Sequence, residues 1–330
     1  MGMLDGKTAV VTGAGRGIGR GIALAFARAG ARVVVNDLGS SIAGDGSERG
    51  PADEIVAEIT KAGGEAVANY GSVVDFGAAG AMIEQAVSTW GRLDILVNVA
   101  GNLRDRMIFN MSEEDWDAVI AVHLKGTFNT MRAASVLMRE RRSGRIINMS
   151  SVSALGSPGQ PNYAAAKNGI IGLTWSSANA LARYGVTVNA VMPSGATRMA
   201  DTTPRAREVF EKTGKWPSEL AAGTDRDPDN VAPLVVYLAS DAAANVNGQV
   251  FHARGYRYTI LAQPRAARAI RAGHRWNPEE LAEVFPKTLG RELEPPPSIE
   301  FGTRLDSVPD TEWESVGQDH ELWTPPHERG

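Results

Sequence analysis

A doubly wound α/β domain with an extended C-terminal tail is the fold this 330-residue chain predicts, and three observations predict it. Short, continuously apolar runs rich in β-branched residues recur along the first 250 residues. Longer stretches with helical spacing lie between them. A glycine cluster follows the first apolar run, and a carboxylate ends the second. Strands without polar alternation are buried on both faces, the condition of a parallel sheet covered by helices above and below. Ligands of such sheets bind beyond the carboxyl ends of the strands, so candidate functional residues are those that follow each run.

The elements read in order. The strand TAVV (8–11) leads into the helical stretch GRGIALAFARAG, and RVVV (32–35) into ADEIVAEITKAG. The strands AVA (66–68) and DILV (94–97) follow. A long amphipathic stretch, EEDWDAVIAVHLKGTFNTMRAASVLMRERR, separates DILV from RIIN (145–148). The last two strands are TVNAV (187–191) and QVF (249–251). Residues 1–255 therefore form one domain and 256–330 an extension. The extension holds nine of the 17 prolines and little strand pattern. WNPEELAEVF (276–285) reads as one short helix started by Asn277 and Pro278. From Glu292 onward ten acidic residues face two arginines. Trp276, Trp313 and Trp323 make this a poor composition for a free coil. The extension is expected to pack on its own domain or on a neighbouring subunit of a dimer or tetramer, helping to close the site.

Composition narrows the function classes. The chain is 43% hydrophobic and 22% charged with net charge −4, which gives no nucleic-acid surface. It has no cysteine, so disulfides, thiolate metal sites and a cysteine nucleophile are excluded, and no metal is expected. No apolar run of about 18 residues occurs, so no membrane span is expected. The start, MGMLDGKTAVV, has no basic-then-apolar leader, and the expected location is the cytoplasm.

The turn TGAGRGIGRGIALAF carries Gly13, Gly17 and Gly19 where a strand bends into a helix. Glycine permits that turn and lets backbone approach a pyrophosphate, whose charge is stabilised at the helix N-terminus. The spacing is G-x-x-x-G-x-G rather than the commoner G-x-G-x-x-G. Asp37 ends the next strand and can accept hydrogen bonds from an adenosine ribose while repelling a 2′-phosphate. Arg16 argues the other way, because it could pair with such a phosphate. Position at a strand end decides for Asp37, so NAD is the expected cofactor and NADP is disfavoured.

PNYAAAKNG (161–169) places Tyr163 and Lys167 one helical turn apart with only alanine between them. With TGAGRGIG (12–19), NVAG (98–101), Ser150/Ser151 and PSGAT (193–197), this pair resembles the short-chain dehydrogenase/reductase family over roughly residues 4–255. Within that family VVVNDLG, GGEAVANYGSV, NLRDRM, VHLKGTF and GQPNYAAAK resemble the branch typified by the (3R)-hydroxyacyl-CoA dehydrogenase domain of peroxisomal multifunctional enzymes. The resemblance implies a Rossmann-like fold and oxidoreduction of a secondary alcohol and ketone. It implies Tyr163 as base, Lys167 as the group that favours the phenolate and holds the nicotinamide ribose, and a serine that orients the substrate oxygen. Family spacing puts that serine at Ser150 and motif alignment at Ser151. Ser151 is preferred, because the loop SALGSP can lose a residue more easily than a strand end can shift register. Cofactor contacts are implied for Gly13, Arg16, Gly17, Ile18, Gly19, Asp37, Ser72, Val73, Asn98, Ala100, Gly101, Tyr163, Lys167, Pro193 and Thr197.

Three departures stand out. His123 occupies the place of a helix asparagine that binds a relay water, so it is either part of that relay or a buried structural histidine. Val99 replaces the second asparagine of the family's turn. Gly71 stands where an aspartate often meets the adenine, leaving the Ser72–Val73 backbone for that contact. The expected substrate is bulky and apolar, first a 3-hydroxyacyl-CoA, then a hydroxysteroid or cyclic terpene alcohol. A catalytically silent binding protein is the remote alternative. In the loop 199–220, Arg205, Arg207 and Lys212 are either contacts for a CoA phosphate or solvated helix charges.

Overall fold

The computed structural model describes residues 2–293 and residue 297. Elements alternate from the start: β1 (Thr8–Thr12), α1 (Gly17–Arg28), β2 (Arg32–Asn36), α2 (Gly50–Lys61), β3 (Ala66–Asn69), α3 (Phe76–Trp90) and β4 (Ile95–Asn98). There follow α4 (Glu113–Ile120), α5 (Gly126–Arg141), β5 (Gly144–Met149), α6 (Pro161–Leu181) and β6 (Val186–Ser194). The chain continues through α7 (Pro204–Thr213), α8 (Pro217–Leu220), α9 (Ala232–Ala239), β7 (Val250–Arg254), β8 (Arg257–Ile260) and α10 (Pro278–Val284).

One eight-stranded sheet runs in the order β3-β2-β1-β4-β5-β6-β7-β8. The first seven strands are parallel, and β8 is antiparallel to β7. All residues of β1, β4 and β5 are buried, as their continuously apolar runs predict. Alternate residues serve the two faces. Ala9, Val11, Val33, Val35, Ile95 and Val97 pack with Ile22, Phe26, Ile55 and Leu238 of α1, α2 and α9. Val10, Val34, Leu96 and Ile146 pack with Met82, Ile83, Met131 and Met138 of α3 and α5. A one-residue slip of register would turn each set to the wrong face. Strand order reverses between β1 and β4, which opens a crevice at the carboxyl ends of those two strands.

The long amphipathic stretch forms α4 and α5, joined by one π-helical turn over Ala121–Lys125. The extra residue of such a turn lets side chains re-aim locally, a device common at functional sites.

The extension differs from its expectation in one respect. β8 forms from RYTI, so the sheet crosses residue 255 through the turn at Gly255 and Tyr256. α10 starts where expected, with the Asn277 side chain accepting from the Glu280 N–H at 2.8 Å as its N-cap, and ends at Val284, one residue short of the expected 276–285 stretch. It buries none of its residues, and Leu281 and Phe285 stay 36% and 40% exposed. Further on, a Cβ built at Gly156 would stand 3.3 Å from the carbonyl oxygen of Pro297, so the extension returns to the loop after β5. Trp313 and Trp323 lie outside the described residues. Among the described residues no helix is long and apolar enough to cross a membrane.

Candidate active site

A cavity of about 870 Å³ lies over the carboxyl ends of the strands. All the predicted site residues border it except Asn98 and Ser151. The turn after β1 forms its floor. Gly13 has φ +62°, and a Cβ there would stand 2.7 Å from Ala100 Cα. A Cβ at Gly19 would stand 2.0 Å from the Gly13 carbonyl oxygen. Both positions need glycine for close approach of backbone to backbone. Thr12 Oγ1 accepts from the Val99 N–H at 3.0 Å and the Ala100 N–H at 3.2 Å, which locks the two strand ends together.

Asn98 does not border the cavity. The resemblance implies a cofactor contact, but its side chain is buried in the frame below the cavity. Nδ2 donates to Asn148 Oδ1 at 2.9 Å, and Oδ1 accepts from Thr130 Oγ1 at 2.6 Å. Asn148 in turn donates to Thr174 Oγ1 at 3.0 Å. This ladder ties β4, β5, α5 and α6 and leaves Asn98 little free for a ligand.

At the other end of the cavity Asp37 is fixed by backbone donors. Oδ2 accepts from the Gly15 N–H at 2.8 Å and Oδ1 from the Gly39 N–H at 2.7 Å. Gly71, where a carboxylate was missing, belongs to an amide frame. Asn36 Nδ2 donates to the Gly71 carbonyl at 2.8 Å, and the Gly71 N–H donates to Asn69 Oδ1 at 2.9 Å. That frame turns Ser72 and Val73 toward the cavity wall.

Tyr163 and Lys167 lie in the first two turns of α6. Asn162, which no motif in the sequence marks, anchors that helix start. Its Nδ2 donates to the Arg104 and Asp115 carbonyls, each at 3.0 Å. Gln160, just before the helix, donates to Asp105 at 2.7 Å and accepts from Ser153 Oγ at 2.9 Å. The only signal for either was a polar side chain beside the tyrosine.

The two serines separate cleanly. Ser150 borders the cavity, but its Oγ donates to the Lys167 carbonyl at 2.8 Å. The Ser151 hydroxyl is hydrogen-bonded to Tyr163. Ser151→Ala should therefore lower kcat by about 10²- to 10³-fold, the usual loss on removing one donor to a reacting oxygen. Ser150→Ala should keep kcat within tenfold and cost about 1 kcal/mol of stability, measured by urea unfolding. The reverse order of kcat losses would transfer the role to Ser150.

Burial rules the charges here. The Tyr163 hydroxyl is pushed up to about 12, chiefly by burial, with Ser151 pulling it down and Asp105 pushing it up. Lys167 is pushed down to about 7 by burial, and its Nζ donates to the Met149 carbonyl at 2.7 Å. The expected lowering of Tyr163 by Lys167 does not appear here: burial, Ser151 and Asp105 set its pKa. Lys167 Nζ stands 5.4 Å from the tyrosine ring centre.

His123 projects from the π-helical turn and meets the Tyr163 ring edge-on, with centres 5.0 Å apart. Nε2 lies 2.8 Å from the Asn102 carbonyl oxygen and 3.1 Å from its N–H, while buried Nδ1 has no protein partner. Burial and the Lys167 charge hold its pKa well below the usual imidazole range, so the ring is neutral at physiological pH. A Cβ at Gly101 would stand 2.3 Å from His123 Cε1, so the ring fills the space that glycine leaves.

A long loop, residues 37–49, walls one side of the cavity through Asp37, Leu38, Ser40, Ser41, Ile42 and Gly44. The Leu103 N–H donates to the Ile42 carbonyl at 2.9 Å, and Arg104 reaches the Ala43 carbonyl and Asp45, both at 3.1 Å. Arg104 also donates to Glu114 at 2.8 Å. Nearer β2, the Glu48 N–H donates to the Leu38 carbonyl, and the Glu48 carboxylate pairs with Arg16. The sequence alone did not connect any of these residues.

A dinucleotide-sized cavity at a topological switch point, with a Ser–Tyr–Lys group at one end, defines an oxidoreductase that works on alcohols with a nicotinamide cofactor. Residues 13–255 match the family described as enoyl-(acyl carrier protein) reductase, and the chain belongs to the short-chain dehydrogenase/reductase family. It is 46% identical over 293 residues to the hydroxyacyl-CoA dehydrogenase ChsB1 of Mycobacterium tuberculosis, a match of 86% of this chain and 88% of that protein. Against peroxisomal multifunctional enzyme type 2 of Drosophila melanogaster it is 45% identical, over 76% of this chain and 40% of the longer enzyme. Against the 3-oxoacyl-[acyl-carrier-protein] reductase FabG of Staphylococcus aureus it is 43% identical, over 76% of this chain and 98% of FabG. The crystal structure of a short-chain dehydrogenase from Mycobacterium avium superposes with a TM-score of 0.77 at 47% identity, covering 89% of this chain and 98% of that one.

Proposed function

We propose that the protein is an NAD-dependent dehydrogenase of 3-hydroxyacyl-CoA substrates. The observation that carries the substrate class is where the similarities end. Residues 1–255 are 77% of the chain, so a match over 86% must include part of the extension. The match to the hydroxyacyl-CoA dehydrogenase therefore runs into the extension, whereas the FabG match, at 76%, does not require it. A segment whose Pro297 carbonyl lies against Gly156, on the loop that follows Ser151, supports a substrate-side role for it. The reading includes self-association to a dimer or tetramer, supported by the exposed side chains of Leu281 in α10 and Phe285 just after it.

The residues fit a dinucleotide. The glycine turn at Gly13, Gly17 and Gly19, which borders the cavity at the start of α1, suits a pyrophosphate, and the fixed Asp37 carboxylate suits adenosine ribose hydroxyls. A bound nicotinamide ring supplies the hydride acceptor. Ser151 donates a hydrogen bond to the substrate oxygen, and Tyr163 takes the alcohol proton in oxidation or returns it in reduction. Lys167 would hold the ribose hydroxyls, and in its ammonium form it favours the phenolate of the tyrosine.

A steady-state panel of 3-hydroxyacyl-CoA, hydroxysteroid and cyclic terpene alcohols, each with NAD and NADP, tests this reading. Acyl-CoA substrates should give the highest kcat/KM, and NAD should bind at least tenfold more tightly than NADP, a difference of about 1.4 kcal/mol. Asp37→Ala should narrow or reverse that preference. A higher kcat/KM on steroid alcohols would overturn the substrate class, and equal affinity for the two cofactors would overturn the role of Asp37.

A further inference from the structure

We infer that Glu48 is a second determinant of cofactor choice, acting by occupying the Arg16 guanidinium that a 2′-phosphate would otherwise use. The inference rests on the NAD reading and deepens it.

Arg16 precedes α1 and borders the adenosine end of the cavity. A guanidinium there presents a planar fork that matches a phosphate, and by itself it would favour the phosphorylated cofactor. Two carboxylates oppose it. Asp37 is held by the Gly15 and Gly39 N–H groups. Glu48 forms a salt bridge with Arg16.

Backbone geometry brings Glu48 there. The chain turns at Gly39, with φ +73°, and a Cβ at that position would stand 2.0 Å from the Glu48 carbonyl oxygen. The Glu48 N–H donates to the Leu38 carbonyl at 3.1 Å. The loop is thus folded back on the end of β2, with the carboxylate delivered to the mouth of the glycine turn. Arg198, after β6, lies in the field of Arg16, Asp37 and Glu48 together. Two cations and two anions balance at this spot. A 2′-phosphate entering it finds Asp37 repelling it and Arg16 already paired.

The pair is partly exposed, with 35% of the Arg16 side chain and 57% of the Glu48 side chain accessible. Exposed ion pairs are weak and exchange readily. The expected effect is therefore a shift of preference rather than an absolute gate.

The test is a double-mutant cycle read as equilibrium binding of NAD and NADP by calorimetry on the full chain, without turnover. Glu48→Gln should tighten NADP binding five- to tenfold and leave NAD binding within twofold. In an Arg16→Ala background the same substitution should change NADP binding less than twofold. Glu48→Ala serves as a second variant, with the same expectation, should the glutamine find a new partner. Unchanged NADP affinity in both Glu48 variants overturns the inference. So does an equal gain without Arg16, which would mean loss of bulk negative charge rather than release of the guanidinium. Tighter NADP than NAD binding by the wild type would instead overturn the NAD reading, and the Arg16-dependent gain would still measure the inference separately.

Discussion

Tyr163→Phe should lose turnover by about 10³-fold or more in both directions while NAD binding stays within threefold. The substitution removes one hydroxyl and keeps the ring, whose edge-on contact with His123 is the packing that holds it. A positioned proton donor or acceptor contributes about 10²- to 10⁴-fold, and this hydroxyl is also hydrogen-bonded to Ser151. With its pKa pushed up to about 12, Tyr163 is protonated at neutral pH. It is ready to give a proton to a ketone and must lose one before it can take an alcohol's. Oxidation should therefore speed up as pH rises from 7 to 9, and reduction should not. Measuring kcat in both directions, with NAD affinity by calorimetry, checks this. A variant that retains a tenth of wild-type turnover would remove Tyr163 from the proton transfer.

Lys167→Met should stabilise the fold while destroying activity. Lys167 is a buried cation whose recorded partner is a neutral one, the Met149 carbonyl at 2.7 Å. Burial lowers its pKa from 10.5 to about 7, so the unfolded chain binds the proton more tightly than the folded one. The cost is absent above about 10.5, grows as pH falls, and is complete below about 7. Its full size is on the order of a few kcal/mol. The methionine fills similar space without a charge. At pH 6.5 the variant should be more stable than wild type by that amount, and the gap should shrink by pH 9. Urea unfolding at both pH values and one protein concentration measures it, since self-association would otherwise shift the result. A variant less stable than wild type at pH 6.5 would show that the Met149 contact outweighs the desolvation of the ammonium. Stability given up at this position is the expected signature of a functional group held against the preference of the fold.

How much was legible follows the range of the interactions involved. Seven strands could be read because each is a mostly apolar run, a property of three to five neighbouring residues. β8 could not. Its four residues are mostly exposed at a sheet edge, so RYTI carries no burial pattern, and only pairing with β7 makes it a strand. The glycine turn, Asp37 and the Tyr163–Lys167 pair were legible because their spacing is local. The burial of the Asn98 side chain was not legible, because its partners Asn148 and Thr130 come from elements 50 and 32 residues away. The pairing of Glu48 with Arg16, 32 residues apart, depends on a loop folding back at Gly39, and no periodicity announces that. The neutral state of His123 likewise comes from burial beside Lys167, a tertiary fact.

The loop that joins β2 to α2 touches both halves of the cavity at once. Its far end presents Glu48 to Arg16, and its middle is tied through Ile42, Ala43 and Asp45 to Leu103 and Arg104. Arg104 in turn offers its carbonyl to Asn162, next to Tyr163. If Glu48 helps to set cofactor choice as inferred above, cofactor choice and substrate fit are not separate traits for natural selection or for an engineer to adjust. A length change in this loop made to admit a different dinucleotide would also move the wall beside the reacting alcohol. Variation that survives here should come in compensated pairs, one change at each end of the loop, and single insertions should be purged.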